Sequence, residues 1–292
     1  MFLLLFLCSV LNDFSLVAVA VACRLSLSLL LAGPLLNLSK ILSASPRETL
    51  SELEREMWTR RSLREEYTLG HVLGQGQFGI VYKARRKRDG AHAAVKSMDR
   101  RRANMSALQN EIQCMKRVGR MNHPNVLRLL DTFDSDARFM HLVIDYCSGG
   151  ELANIVVNNS VTQREVMSLA AQLLSALDVC HSHGIVHRDV KLQNALLRAK
   201  YAVGKPCVVL VDFGTATICC ERFSGVNGVV GSGGFIAPEV FHGQYGTAAD
   251  IFSAGVCLHI LLLGSKPDGP FRQKLPRDIG AFLSSLLEQD PR

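Results

Sequence analysis

Asp189, Lys191 and Asn194 stand within six residues of one another in the stretch His187-Arg188-Asp189-Val190-Lys191-Leu192-Gln193-Asn194. A carboxylate, an ammonium and a carboxamide at that spacing supply a proton acceptor, a phosphate clamp and an oxygen ligand for a hard metal ion. A second oxygen donor follows in Asp212-Phe213-Gly214, and a second ammonium precedes in Ala94-Val95-Lys96. Upstream of both lies Gly74-Gln75-Gly76-Gln77-Phe78-Gly79-Ile80-Val81, a glycine run set between two strand-like segments. It is not the dinucleotide fingerprint, which opens a helix. Glycines here let the backbone close over phosphates where a Cβ holds it away, and Phe78 at the tip can cap the site from water.

Positioning these groups takes two kinds of element. Tyr67 to Leu73 and Val81 to Ala84 alternate as strands on either side of the glycine run, and Ala94-Val95-Lys96 lies on the next strand-like segment. Ser106 to Val118 has helical period, with Ile112, Met115 and Val118 on one face. His123-Pro124-Asn125-Val126 closes that helix and opens another strand, and Phe139 to Ile144 has the length of a buried strand. Helices dominate thereafter. Val166, Leu169, Leu173, Leu174, Leu177 and Cys180 recur at helical spacing between Thr162 and His183, making a core helix that delivers the chain to Asp189. Residues 198–206 read as a hairpin-like excursion before a strand from Val208 to Val211. Val256 to Leu263 reads as a buried helix too short to cross a membrane.

In this order the motifs resemble those of the eukaryotic protein kinases. Residues 187–194 follow H-R-D-L-K-x-x-N with Val190 for Leu, the glycine run follows G-x-G-x-x-G-x-V, and Asp212-Phe213-Gly214 and Ala237-Pro238-Glu239 stand as D-F-G and A-P-E. Asp250 resembles the aspartate that holds the catalytic loop from beneath. Lys191 marks the serine/threonine type, and Tyr146-Cys147-Ser148-Gly149-Gly150-Glu151-Leu152 is similar to the calmodulin- and calcium-dependent group.

The resemblance covers residues 67–291 and implies an α+β, bilobal kinase fold: a small antiparallel-sheet N-lobe with one helix (67–146) and a mainly α C-lobe (147–292). It implies ATP and Mg2+ as cofactors and a protein serine or threonine as acceptor. Asp189, Lys191 and Asn194 are then catalytic, and Asn194 and Asp212 hold the metal. Nucleotide contacts carry over to Leu73, Gly74, Gln75, Gly76, Gln77, Phe78, Gly79, Val81, Ala94 and Lys96 with its partner Glu111. Ile144 guards the back of the pocket, the backbones of Asp145 and Cys147 meet the adenine edge, Glu151 reaches the ribose and Leu196-Leu197 form the floor. Gly149 and Gly150 read as a pliable hinge. Ser224 and Ser232 are phosphorylation candidates, with Arg188 as phosphate partner.

With 292 residues and 48% apolar content, the chain suits one two-lobed domain or two small ones. The net charge of +7 is dispersed, and its densest cluster, Arg85-Arg86-Lys87-Arg88 before Asp89-Gly90, reads as a solvated turn and not as a nucleic-acid surface. Nine cysteines without a C-x-x-C pair, Cys180, Cys207 and Cys257 among them, are expected as small core residues in a reducing compartment. No EF-hand loop pattern occurs in the sequence.

Residues 1–36 are nearly all apolar, with charges only at Asp13 and Arg24, and have the composition of a signal peptide or a membrane anchor. A wrongly joined upstream segment is the alternative, because no uninterrupted run reaches about eighteen residues. As an anchor the segment leaves the kinase domain in the cytoplasm, since Lys40, Arg47, Arg55, Arg60, Arg61 and Arg64 follow it. As a signal peptide it leads to the secretory pathway. Residues 37–66 form a linker with an amphipathic helix starting at Ser45-Pro46.

Three features depart from the family pattern. Gly231-Ser232-Gly233-Gly234-Phe235 replaces the usual G-T-x-x-Y: Ser232 keeps a hydroxyl able to bond Asp189 and Lys191, while Gly233 and Gly234 loosen the wall that receives the residue after the target hydroxyl. Gln193 stands where kinases preferring basic substrates often carry Glu. Leu286-Leu287-Glu288-Gln289-Asp290-Pro291 arrives early, and Arg292 precedes the position of the arginine that pairs with Glu239. The expectation is a C-lobe shortened at its end. Two outcomes stay open, an active kinase and an ATP-binding module weak or inactive in catalysis.

Overall fold

In the computed structural model, which describes residues 62–76, 79–102, 104–134, 138–154, 161–200, 206–219, 226, 228–243, 245–267 and 275–288, the alternating segments pair as one five-stranded sheet. These residues belong to the unit Trp58–Arg292. The expectations for residues 1–36, for the helix at Ser45, and for Gln77, Phe78, Ser224 and Asp290-Pro291 lie outside the described residues.

A four-residue helix α1 (Leu63–Glu66) leads into β1 (Tyr67–Gly76), β2 (Gly79–Arg86), β3 (His92–Asp99), β4 (Leu129–Phe133) and β5 (Phe139–Asp145). The sheet order is β1-β2-β3-β5-β4 and every pairing is antiparallel. The register sets Val81 beside Lys96 and Lys96 beside Leu142, so these three side chains share a face. The other face is covered where Leu63, Tyr67, Val95, Phe133 and Val143 cluster, with Tyr67 edge-on to Phe133 at 5.9 Å. Lys87, Arg88 and Asp89 are exposed at the β2–β3 turn, and Arg86 pairs with Asp89 at 2.6 Å, as a solvated turn requires.

Helix α2 (Met105–Gly119) begins at Asn104, whose side chain accepts the Ser106 and Ala107 N–H groups. Its buried stripe of Leu108, Ile112, Met115 and Val118 joins Met98, Met140 and Leu142 of the sheet in the main core. The segment after it differs from the strand expected there. Val126 makes a parallel bridge to Leu210, and the Asn125 side chain donates to Val208 O at 2.7 Å and Gln172 Oε1 at 3.0 Å. Those bonds tie His123–Val126 to the helical lobe, and β4 starts only at Leu129.

In that lobe α3 (Gln163–Ser182) opens with a capping box between Thr162 and Glu165. The short strands β6 (Ile185–Val186), β7 (Ala195–Leu197), β8 (Val208–Leu210) and β9 (Thr217–Ile218) follow, pairing β6 with β9 and β7 with β8. Helix α4 (Ala248–Leu263), apolar on nearly all sides, is buried against α3 and against α5 (Arg277–Leu286). Gly255 lets α5 approach, because a Cβ there meets Leu286 Cβ at 2.9 Å. Cys180 and Cys257 are fully buried as expected, whereas Cys207 is only half-buried at the start of β8. Among the described residues no helix is long and apolar enough to cross a membrane.

Candidate active site

The loop between β6 and β7 carries Asp189, Lys191 and Asn194, and its backbone rests on α4. Asp250, 1% exposed, accepts the N–H groups of His187 and Arg188 at 2.8 Å each and the His181 ring at 2.9 Å. Burial pushes the Asp250 pKa up, but the bond and charge of His181 and the His187 contacts outweigh it, so the carboxyl titrates below its usual range. His187 is buried edge-on to Phe213 at 5.1 Å and donates to Val211 O at 3.0 Å. Arg188 and Asp212 both have positive φ (68° and 62°), a conformation that costs a non-glycine residue about 1–3 kcal/mol and persists where the surroundings enforce it.

The three catalytic candidates converge. Asp189 Oδ2 accepts from Lys191 Nζ at 2.7 Å and Asn194 Nδ2 at 2.9 Å, and Oδ1 accepts from the Ser232 hydroxyl at 2.7 Å. Lys191 Nζ also donates to Ser232 Oγ at 2.7 Å. Ser232 therefore braces the carboxylate–ammonium pair, and its hydroxyl is already engaged as a partner within the site.

From the sheet, Lys96 Nζ lies 2.6 Å from Glu111 Oε1 and 3.4 Å from Asp212 Oδ1. Burial pulls the Lys96 pKa down, but the Glu111 and Asp212 carboxylates overcome it and keep the ammonium above its ordinary value. Asp212 shows the mirror case: burial raises its pKa, but the Lys96 and His187 charges and the bonds from Gly214 N and Lys96 outweigh it, so the carboxyl titrates below its ordinary range. The Asn110 side chain donates to Ala216 O at 2.5 Å, fastening α2 to the chain beyond Asp212.

Asn194 and Asp212 offer two hard oxygen donors, and among the described residues no cluster of three or more His, Cys, Asp or Glu side chains forms a metal cage. Two protein oxygens fit magnesium, which keeps phosphate and water ligands, better than an ion needing a full protein cage.

Around the nucleotide positions the glycines act for different reasons. A Cβ on Gly79 collides with the Ser97 carbonyl, so that glycine serves β2–β3 pairing, while no protein atom stands within 4 Å of a Cβ on Gly74 or Gly76. Gly74, Gln75 and Gly76 pair with Val81, Ile80 and Gly79, and Leu73 is exposed beside them. Ala94, near-buried, pairs with Ile144. Alternation along β7 leaves only Leu196 partly open: Leu197 is 2% exposed and belongs to the core, which corrects the expectation that both form the floor.

The hinge also differs from the pliable connection expected. Ser148 N and Gly149 N donate to Arg198 O and Leu197 O, Leu197 N donates to Gly150 O, and Glu151 bridges Leu196. Gly149 is there because a Cβ collides with the Ala199 carbonyl and Leu197, and Gly150 because its φ is +80°. The Asp145 carboxylate is gripped by Arg128 through two 3.0 Å bonds and by Arg198 at 3.4 Å. Among the described residues no acceptor bonds the Cys147 N–H, which remains available to a ligand edge. Sequence reasoning did not single out Arg128 or Arg198, because their pairing exists only once the two lobes have folded.

Residues 67–291 match the family model described as protein kinase domain. Calcium-dependent protein kinase 28 of Oryza sativa subsp. japonica is 38% identical over 79% of this chain and 44% of its own length. Calcium-dependent protein kinase 12 of Arabidopsis thaliana is 36% identical over 71% and 42%, and calcium-dependent protein kinase 5 of Plasmodium berghei (strain Anka) 35% identical over 79% and 41%. The chain spans less than half the length of these curated relatives. Since the family match runs from β1 past the end of α5, the chain belongs to the protein kinase domain family.

Proposed function

We propose that the chain transfers the γ-phosphoryl group of ATP to a serine or threonine hydroxyl of a protein. The observation that carries this is the convergence of Lys191, Asn194 and Ser232 on Asp189, 2.7–2.9 Å from its two carboxylate oxygens. In this reading Asp189 orients the acceptor hydroxyl and takes its proton as the oxygen bonds to the γ-phosphorus and ADP leaves. Lys191 steadies the γ-phosphate, and Lys96, held by Glu111, aligns the α- and β-phosphates. Asn194 and Asp212 would hold magnesium, which when bound neutralises phosphate charge. Catalysis is then positioning and charge stabilisation by groups fixed beforehand.

A second reading, an ATP-binding module with weak or no turnover, is favoured by Glu239, whose Oε2 is buried without a hydrogen-bond partner among the described residues. Incubating the protein with ATP, magnesium and a serine/threonine peptide library separates the two. Phosphopeptide formation supports the kinase, and ATP-dependent thermal stabilisation without phosphopeptides supports the module. Membrane association through residues 1–36 is a separate proposal resting on their composition alone; the full chain and a chain lacking 1–36 partitioning identically in carbonate-washed membranes contradicts it.

A further inference from the structure

The two glycines beside Ser232 do not leave the substrate wall loose. Gly233 has no protein atom within 4 Å of a would-be Cβ, and Gly234 has φ +82°, where a Cβ meets Lys266 Nζ at 2.5 Å and Lys266 Cδ at 2.9 Å. The space is taken by a lysine from the turn after α4. Lys266 Nζ donates to Gly233 O at 2.8 Å and lies 4.7 Å from the centre of the Phe235 ring. The turn is anchored: Gly264 caps α4, and the buried His259 Nδ1 donates to Ser265 O at 2.7 Å.

Lys266 is nonetheless exposed, and among the described residues no ion pair includes its ammonium. An ammonium carries three donors, of which the Gly233 carbonyl uses one. Gly233 is one residue beyond Ser232, whose hydroxyl touches the Asp189 carboxylate that faces the acceptor. Ser232 to Phe235 is a turn closed by the Phe235 N–H donating to Ser232 O at 3.1 Å, so the ammonium on Gly233 O sits beside the segment that touches Asp189. Gln193, neutral, adds no opposing negative charge from the catalytic loop.

We infer that Lys266 is a specificity-determining residue: it receives an acidic side chain on the residue that follows the phosphorylated serine or threonine. This rests on the protein-kinase reading and names a substrate class for it. A lysine serving only to brace Gly233 affects folding but not the choice among peptides, so the peptide preference is the discriminating readout.

The test uses the full chain and synthetic peptides identical except at the residue after the acceptor, which is Asp, phosphoserine, Ala or Arg. Binding is read by fluorescence anisotropy and transfer by phosphopeptide yield. The Asp and phosphoserine peptides are expected to bind about three- to fivefold tighter than the Arg peptide, the size of a partly exposed charge pair. Lys266→Glu reverses the order, and Lys266→Gln, which keeps a donor for Gly233, abolishes it. Equal affinities in the wild type, or a preference unchanged in Lys266→Gln, overturn the inference even if transfer is robust. A Lys266-dependent acidic preference without transfer sustains the surface and sinks the kinase reading, and failure to bind any peptide overturns the inference.

Discussion

Asp250 accepts two backbone N–H groups of the catalytic loop and the His181 ring while buried from water, so its charge is held by those donors alone. Its folded pKa is depressed below the ordinary carboxylate range by the His181 bond and charge and the His187 contacts, against the opposing effect of burial. A depressed carboxyl contributes its stability in full above the unfolded pKa, about 3.9, and loses it as pH falls through the lower folded value. Urea midpoints measured from pH 7 to pH 3 are therefore expected to fall below about pH 4 in the wild type. Asp250→Asn lowers stability at pH 7 by about 2–3 kcal/mol, by replacing one of the two acceptor oxygens with an NH2 that faces buried donors, and flattens the acid limb. Parallel curves for the two proteins down to pH 3 contradict this. Asp189, Lys191 and Asn194 could be picked from the sequence because their chemistry is written in residue type and short spacing, whereas Lys96, Glu111 and Asp212 stand out only through the order of motifs that resembles the protein kinases. Arg128, Arg198 and Lys266 could not, since each acquires its partner across a tertiary contact, and only Gly233-Gly234 hinted that something unusual faced them.

At the scale of elements, α2 must hold Glu111 within reach of Lys96, and its start depends on Asn104, whose Oδ1 takes the Ser106 N–H at 3.0 Å and the Ala107 N–H at 3.3 Å. Asn104→Ala is expected to cost about 1 kcal/mol by chemical denaturation. Amide exchange should rise first in residues 105–108, and Asn104→Asp, which retains the acceptor, should restore both. An unchanged denaturation midpoint contradicts the cap's role. Helical and alternating periods made α2, α3, β1–β3 and β5 legible, since burial on one face imposes the pattern. The sequence of His123–Val126 suggests a strand start that the fold does not form, because its ladder partner, Leu210, is remote in sequence and the Asn125 side chain does part of the bonding. The hinge glycines suggest pliability in the sequence, yet close backbone approach at Gly149 and a left-handed conformation at Gly150 explain them.

For the molecule as a whole, Glu239 is where stability and activity meet. Its Oε2 is buried and unpartnered among the described residues. Where a buried carboxylate has a charged partner, removing it costs about 3–5 kcal/mol. In this chain Glu239→Gln is expected to change stability by less than about 1 kcal/mol, or to raise it, by thermal unfolding. A loss of several kcal/mol shows instead that the carboxylate is paired. The central claim, that the chain is a phosphotransferase working through Asp189, is tested most directly by comparing wild type with Asp189→Asn in one preparation, for ATP–magnesium thermal stabilisation and for transfer to serine/threonine peptides. Stabilisation should persist in both proteins while transfer falls by about 10²–10⁴-fold in Asp189→Asn. Transfer by Asp189→Asn at the wild-type rate contradicts the claim.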